Sequence, residues 1–181
     1  MAGVTIGADG LARCSWAVGE LYEAYHDQEW GQPVRGDDKL FERMSLEAFQ
    51  SGLSWITILR KRPAFRKAFA NFKIRKVAAF GEPDVERLLA DAGIVRNRSK
   101  IEATIANARV ALEVDLDELL WSYAPARGKR KADIPATTPE SIAMSKALKK
   151  KGFRFVGPTT CYALMQATGM VDDHIEGCHI S

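Results

Sequence analysis

The chain carries three cysteines and three histidines, and four of these residues fall into two groups: Cys14 with His26 near the start, and His174 with Cys178 near the end. Two thiolates and two imidazoles are the donor set of a closed tetrahedral zinc site. The second pair reads H-x3-C, and on a helix residues four apart share a face and can hold one metal. A metal bound in this way would staple the two ends of the chain and order segments that otherwise fray. The plainer account is two buried thiols and two unrelated imidazoles, since the split arrangement is not a standard finger spacing. The odd cysteine count and long spacings speak against a disulfide framework.

A second candidate for chemistry is Glu47. Leu40, Met44 and Glu47 recur at i, i+4 and i+7, so the carboxyl projects from a stripe that should be apolar. A charge there must be paired, hydrogen-bonded or at the wall of a cavity. Trp55 and the cluster Tyr22, Tyr25 and Trp30 lie near it in sequence. Aromatic walls around one acid suit a flat ligand that is cationic or rich in N–H donors. The alternative is that Glu47 bonds a backbone group or an arginine near the helix end.

The elements that must position these residues are helical. Asp37 and Asp38 are expected to cap the helix carrying Leu40, Phe41, Met44 and Ala48, and residues 54–60 form a short apolar segment. Pro63 is expected to start a further helix with Phe65, Phe69 and Phe72, and Pro83 one that ends by Gly93. Residues 100–112 show a helical stripe of Ile101, Ile105, Ala108 and Leu112. Residues 124–138 form the clearest loop. With no sustained alternation and no Asn-Gly or Asp-Gly hairpin, the fold class is all-α. Residues 140–151 read as a helix, followed by the glycine-bounded turn Gly152-Phe153-Arg154-Phe155-Val156-Gly157 and the helix start Pro158-Thr159-Thr160. This is the pattern of a helix-hairpin-helix, whose free N–H groups can face a phosphate. An ordinary αα-hairpin packed in the core has the same outline.

At 181 residues, 46% hydrophobic and 27% charged, the chain can build one domain with a sizeable core, or two small lobes around a cleft. It has no apolar run long enough to cross a bilayer, and its first ten residues lack the basic and apolar regions of a secretion signal, so a cytoplasmic location is expected. The net charge of +3 is unevenly spread: residues 1–60 carry nine acids against five bases, while residues 127–154 carry nine bases against two acids. Such a block suggests a face that meets a polyanion, or else a solvated loop.

Arg13-Cys14-Ser15-Trp16 and the run Tyr22 to Gly31, with its Y-H-D-x-E-W-G block, resemble the opening of the bacterial 3-methyladenine DNA glycosylases of the Tag type. Leu46-Glu47, the turn Gly52-Leu53-Ser54-Trp55-Ile56, Asp91 to Ile94, the hairpin from Lys149 to Gly157, and Asp173-His174 with Cys178 extend the resemblance over nearly everything from Arg13 onward. Residues 1–12 fall outside it and are expected to be a flexible extension to a single glycosylase domain over 13–181.

The resemblance implies a helix-hairpin-helix fold of two helical lobes around a base-binding cleft. It implies one structural zinc on Cys14, His26, His174 and Cys178, joining the N- and C-terminal segments. The activity it implies is hydrolytic removal of N3-methyladenine from alkylated double-stranded DNA, by a monomer. Glu47 becomes the catalytic, base-reading residue, with Tyr25, Trp55, Tyr22, Trp16 and Trp30 forming the rest of the base pocket. Gly52, Leu53 and Ser54 become the turn that enters the duplex, with Lys151, Gly152, Phe153, Gly157 and Thr159 as hairpin contacts to DNA. Asp173 is expected to orient the neighbouring zinc ligand. Among other classes, a non-catalytic DNA-binding module would have no use for a buried acid facing aromatic rings. A zinc deaminase would need H-x-E with P-C-x-x-C, which is absent.

Overall fold

The computed structural model describes residues 3–128 and 132–180. Its described residues form nine α-helices and one two-stranded ribbon: β1 Val4–Ile6, β2 Ala12–Cys14, α1 Glu20–Gln28, α2 Asp37–Gln50, α3 Trp55–Ala68, α4 Ile74–Ala78, α5 Glu82–Leu89, α6 Arg98–Ala111, α7 Leu116–Trp121, α8 Pro139–Lys151 and α9 Pro158–Ala167. No helix among them is long and apolar enough to cross a membrane. Lys129, Arg130 and Lys131, part of the basic block and of the expected loop, lie outside the described residues, as do the first two residues of the chain.

The centre of the molecule is α2, which packs against α3, α6, α7 and α9. From Met44 to Phe49 every residue of α2 is buried, so this half of the helix is enclosed on all sides. Phe49, Phe65, Phe69 and Phe72 stack below it, with successive ring centroids 4.7, 6.4 and 5.4 Å apart. Pro63 does not start a helix. It sits inside α3, which runs unbroken from Trp55 to Ala68, its apolar contacts outweighing the hydrogen bond that proline removes. Asp37 and Asp38 do not cap α2, which follows Gly36. Their carboxylates instead accept the backbone N–H groups of Asp117 (2.9 Å) and Ile74 (3.0 Å), tying the starts of α7 and α4 to α2.

The expected flexible N-terminal extension is, over Val4–Ile6, a strand paired antiparallel to Ala12–Cys14. Strands of three residues are too short for alternation to reveal. The ribbon also meets the far end of the chain, because the His179 N–H donates to the Ala12 carbonyl at 2.7 Å. The segment read as a helix-hairpin-helix folds as α8, a turn and α9. Gly152 ends α8 in the left-handed conformation at φ 102°, and Pro158 opens α9 at its first position.

Candidate active site

A cavity of about 390 Å³ lies where α1, α2, the start of α3, α9 and the C-terminal segment converge. Its walls include Trp16, Tyr22, Tyr25, Trp30, Glu47 and Trp55, so all six residues expected to form a base pocket come together. The rings pack as a continuous wall: Trp16 meets Tyr22 and Trp30 edge-on at 5.6 and 5.0 Å, and Tyr25 lies 5.7 Å from Trp55. Gln50, Ile134, Ala163, Gln166 and Asp173 complete the lining.

Glu47 is 6% exposed, and among the described residues it has no hydrogen bond or ion pair. Burial pushes its carboxyl up to about 8, with Arg43 pulling only weakly the other way. Arg43 lies one turn earlier on α2, where an ion pair to Glu47 would be ordinary helix chemistry. It is instead engaged by Glu29 at 3.2 Å, and Glu29 also takes both arms of Arg62 at 2.6 and 2.7 Å. Glu29 thus keeps the guanidinium away from the cavity and leaves Glu47 available. Burial, aided by the acid of Glu47, also raises the Tyr25 hydroxyl, which stays neutral. The Trp55 indole N–H is buried and unpartnered among the described residues, a free donor on a lining residue.

The two ends of the chain meet beside this cavity. The ligand atoms of Cys14, His26 and Cys178 lie within 4.8 Å of one another, and all three residues are buried. His174 joins them, its ring centroid 4.9 Å from that of His26. Its Nε2 is buried with no hydrogen-bond partner among the described residues. Such an orphaned atom normally costs about 1–3 kcal/mol, and a metal ion is the partner that this donor set would satisfy. Both imidazoles are prepared for it. Nδ1 of His26 donates to Asp27, and Nδ1 of His174 donates to Asp172, each at 2.8 Å, which leaves Nε2 as the ligand atom on each ring. Burial without a cation raises the Cys14 thiol to about 11, and a dication alongside would reverse that preference.

One condition and one expectation about this corner are not met. The H-x3-C tail is not helical; a turn in which the Cys178 N–H donates to the Ile175 carbonyl at 3.1 Å brings the pair together. The carboxylate that orients His174 is Asp172, not Asp173. Asp173 turns into the cavity lining, where it accepts from the Tyr162 hydroxyl and from Gln166 at 3.1 Å. Gly31 is required here for close approach: its φ is 80°, and a Cβ on it would stand 2.8 Å from His174 Cε1. Behind the site, Asp27 gathers Arg13, His26 and His179. Burial opposes the charge on Asp27, but these three donors outweigh it and hold the carboxyl well below the usual range.

The turn at 51–54 projects from the cavity edge, between Gln50 and Trp55. Gly52 has φ 79°, and Leu53 is 41% exposed, a large apolar side chain left in solvent. In the hairpin, Lys151, Gly152 and Thr159 are exposed and Gly157 is half-buried. Phe153 is not a surface contact: it is 3% exposed and packs in the main core, because the turn needs an apolar anchor beneath it. The residues that fix this hairpin are absent from the sequence reading. Asn107 holds both backbone groups of Arg154 (2.8 and 3.0 Å), and Ser145 donates to the Val156 carbonyl at 2.6 Å. Lys100, also unforeseen, clamps the carbonyls of Phe49 and Ser51.

Residues 16–181 match the family model described as methyladenine glycosylase. The chain is 48% identical to DNA-3-methyladenine glycosylase 1 of Escherichia coli strain K12, over 93% of this chain and 96% of that protein. A crystal structure of 3-methyladenine DNA glycosylase I superposes with a TM-score of 0.89 at 47% identity, covering 93% of this chain and 98% of the other. A variant of 3-methyladenine DNA glycosylase I in complex with 3-methyladenine superposes at 0.86, with 34% identity over 92% and 96%.

Proposed function

The chain belongs to the methyladenine glycosylase family and is a monofunctional DNA-3-methyladenine glycosylase; we propose that it turns N3-methyladenine out of alkylated double-stranded DNA, hydrolyses its N-glycosidic bond and leaves an abasic site. The observation that carries this reading is the buried, unpaired Glu47 in an aromatic-walled cavity of about 390 Å³, ample for a base. A base inside a duplex is inaccessible, so the damaged nucleotide must leave the stack and be held between rings. N3-methylation makes adenine cationic. The aromatic faces of Tyr25, Trp16, Tyr22, Trp30 and Trp55 attract such a ring more than a neutral one. Burial keeps Glu47 largely protonated at neutral pH. The arriving cation lets it ionise, and the carboxylate then accepts N–H groups of the adenine edge.

The reaction needs little more than this selection. When the C1′–N9 bond breaks, its electron pair stays with the base, which departs as neutral 3-methyladenine. Water forms the new bond to C1′ and gives up a proton.

Gly52, Leu53 and Ser54 form the turn that enters the duplex, with Leu53 filling the gap left by the extruded nucleotide. Lys151 presents charge and Gly157 and Thr159 present open backbone to the phosphates, while Gly152, whose N–H closes the end of α8, lets the exposed chain turn toward them. Cys14, His26, His174 and Cys178 would hold one zinc, which would supply a structural tie between the two ends of the chain and no catalytic chemistry. The enzyme is read as a cytoplasmic monomer with one catalytic domain over 13–181, its two helical lobes flanking the cleft. The direct test is release of free 3-methyladenine from methylated duplex by the folded, metal-loaded protein. Duplex binding with no release would leave only a DNA-binding module.

A further inference from the structure

The two turns assigned above to the duplex, 51–54 and 152–157, lie about a hundred residues apart in sequence, and both are fastened to α6. Lys100, 8% exposed, donates through Nζ to the carbonyls of Phe49 (2.9 Å) and Ser51 (2.6 Å), at the end of α2 where the Leu53 turn begins. Seven residues later, about 10 Å along the helix, Asn107 is 3% exposed. It accepts the Arg154 N–H at 2.8 Å and donates to the Arg154 carbonyl at 3.0 Å. Thr104 lies between them, its hydroxyl bonded to the Lys100 carbonyl at 2.8 Å. Lys100, Thr104 and Asn107 thus form a polar stripe at i, i+4 and i+7 on the buried face of a core helix.

Packing does not ask for such a stripe. Leucine would fill the same volume without the desolvation cost of an ammonium and an amide. Of the two clamped carbonyls, that of Ser51 lies in an exposed turn where water would satisfy it, whereas that of Phe49 is buried, so Lys100 ties the core end of α2 to the start of the turn. What polar contacts of fixed geometry add is a defined place for each turn.

We propose that Lys100 and Asn107 are positioning residues for excision: through α6 they hold the Leu53 turn and the phosphate-facing hairpin at one separation, so that gripping the backbone places Leu53 at the stack in the register that delivers a base to the cavity. The inference rests on the reading of both turns as duplex-facing. It makes no claim on the base cavity itself, which Lys100 and Asn107 do not line.

The test compares the full, metal-loaded chain with Lys100→Met, Asn107→Ala and the double variant. Three quantities are read: single-turnover release of 3-methyladenine from methylated duplex, quenching of tryptophan fluorescence by free 3-methyladenine, and the thermal midpoint. Each single variant is expected to lose about tenfold or more in duplex release, as small misplacements do, while binding free base as the wild type does. The double variant is expected to lose little more than either single, because one broken fastening already frees the spacing. Lys100→Arg should recover part of the rate. Unchanged duplex release in the single variants, losses that multiply in the double, or a parallel loss of free-base binding would each overturn the proposal. Should Lys100→Met fail to fold, Asn107→Ala and the milder Asn107→Asp, which retains the acceptor alone, decide by the same first and third readouts. A wild type that binds free base but releases none from duplex would instead defeat the glycosylase reading, and this inference with it.

Discussion

His174 packs edge-on against Trp30, their ring centroids 4.8 Å apart and their planes at 78°. One contact therefore joins the candidate metal knot to the wall of the base cavity. Trp30 passes the constraint to Trp16 at 5.0 Å, and His26 meets Trp16 at 5.3 Å from the other side. The residues that close the chain ends on each other are also the ones that hold two of the cavity's rings in place.

It follows that metal removal should be felt in base recognition. One zinc per chain is expected by elemental analysis. His174→Ala or Cys178→Ser should lower the thermal midpoint and weaken binding of free 3-methyladenine together. Replacing zinc by cobalt should leave base release within about twofold, because a four-ligand ion takes no part in the chemistry. A rate that tracked the identity of the metal would contradict the structural role.

The burial of Glu47 predicts a pH signature. Its folded carboxyl titrates at about 8, against 4.5 for the ordinary group. Between those values the folded state keeps a proton that the unfolded chain has lost, so stability falls as pH rises through this window. Glutamine does not titrate. The stability of Glu47→Gln minus that of the wild type should therefore be near zero at the acid end and grow by up to about 1.4 kcal/mol per pH unit toward the alkaline end. Chemical unfolding of both proteins across the range gives this difference, and a flat line would mean that Glu47 is not desolvated.

Leu53 is exposed, so shortening it should leave folding alone. Leu53→Ala is expected to slow release from duplex about tenfold, the scale of losing support for an unstacked step. Free-base binding and the thermal midpoint should stay where they are.

Phosphate contacts at the hairpin should appear in the salt dependence. Lys151→Gln is expected to weaken binding equally on plain and alkylated duplex, and to reduce the slope of log affinity against log salt by about one. A selective loss on alkylated duplex would move Lys151 away from the backbone.

Much of this was legible because some residues violate their local pattern. Glu47 stands on an apolar stripe, and Cys14, His26, His174 and Cys178 cluster at opposite ends of the chain, so both features are legible in residue types and spacing alone. Other parts depend on tertiary partners that spacing does not encode. Lys100 and Asn107 look like ordinary solvent-facing helix residues until the turns they hold are known. Asp172 and Asp173 are adjacent and chemically alike, and only the path of the tail decides which one meets His174 and which lines the cavity. Pro63 signals a helix start, and the packing of Phe65 and Ile58 on either side of it overrides that signal.

In the function proposed here, Glu47 recognises a cationic base that the protein then excises. Its most direct test is release of free base from methylated duplex DNA by the wild type and by Glu47→Gln, at matched folding and zinc content. Release of 3-methyladenine by the wild type is expected, with a loss of about a hundredfold in the variant, the size of a lost charge-assisted contact. Equal release by the two proteins would contradict it.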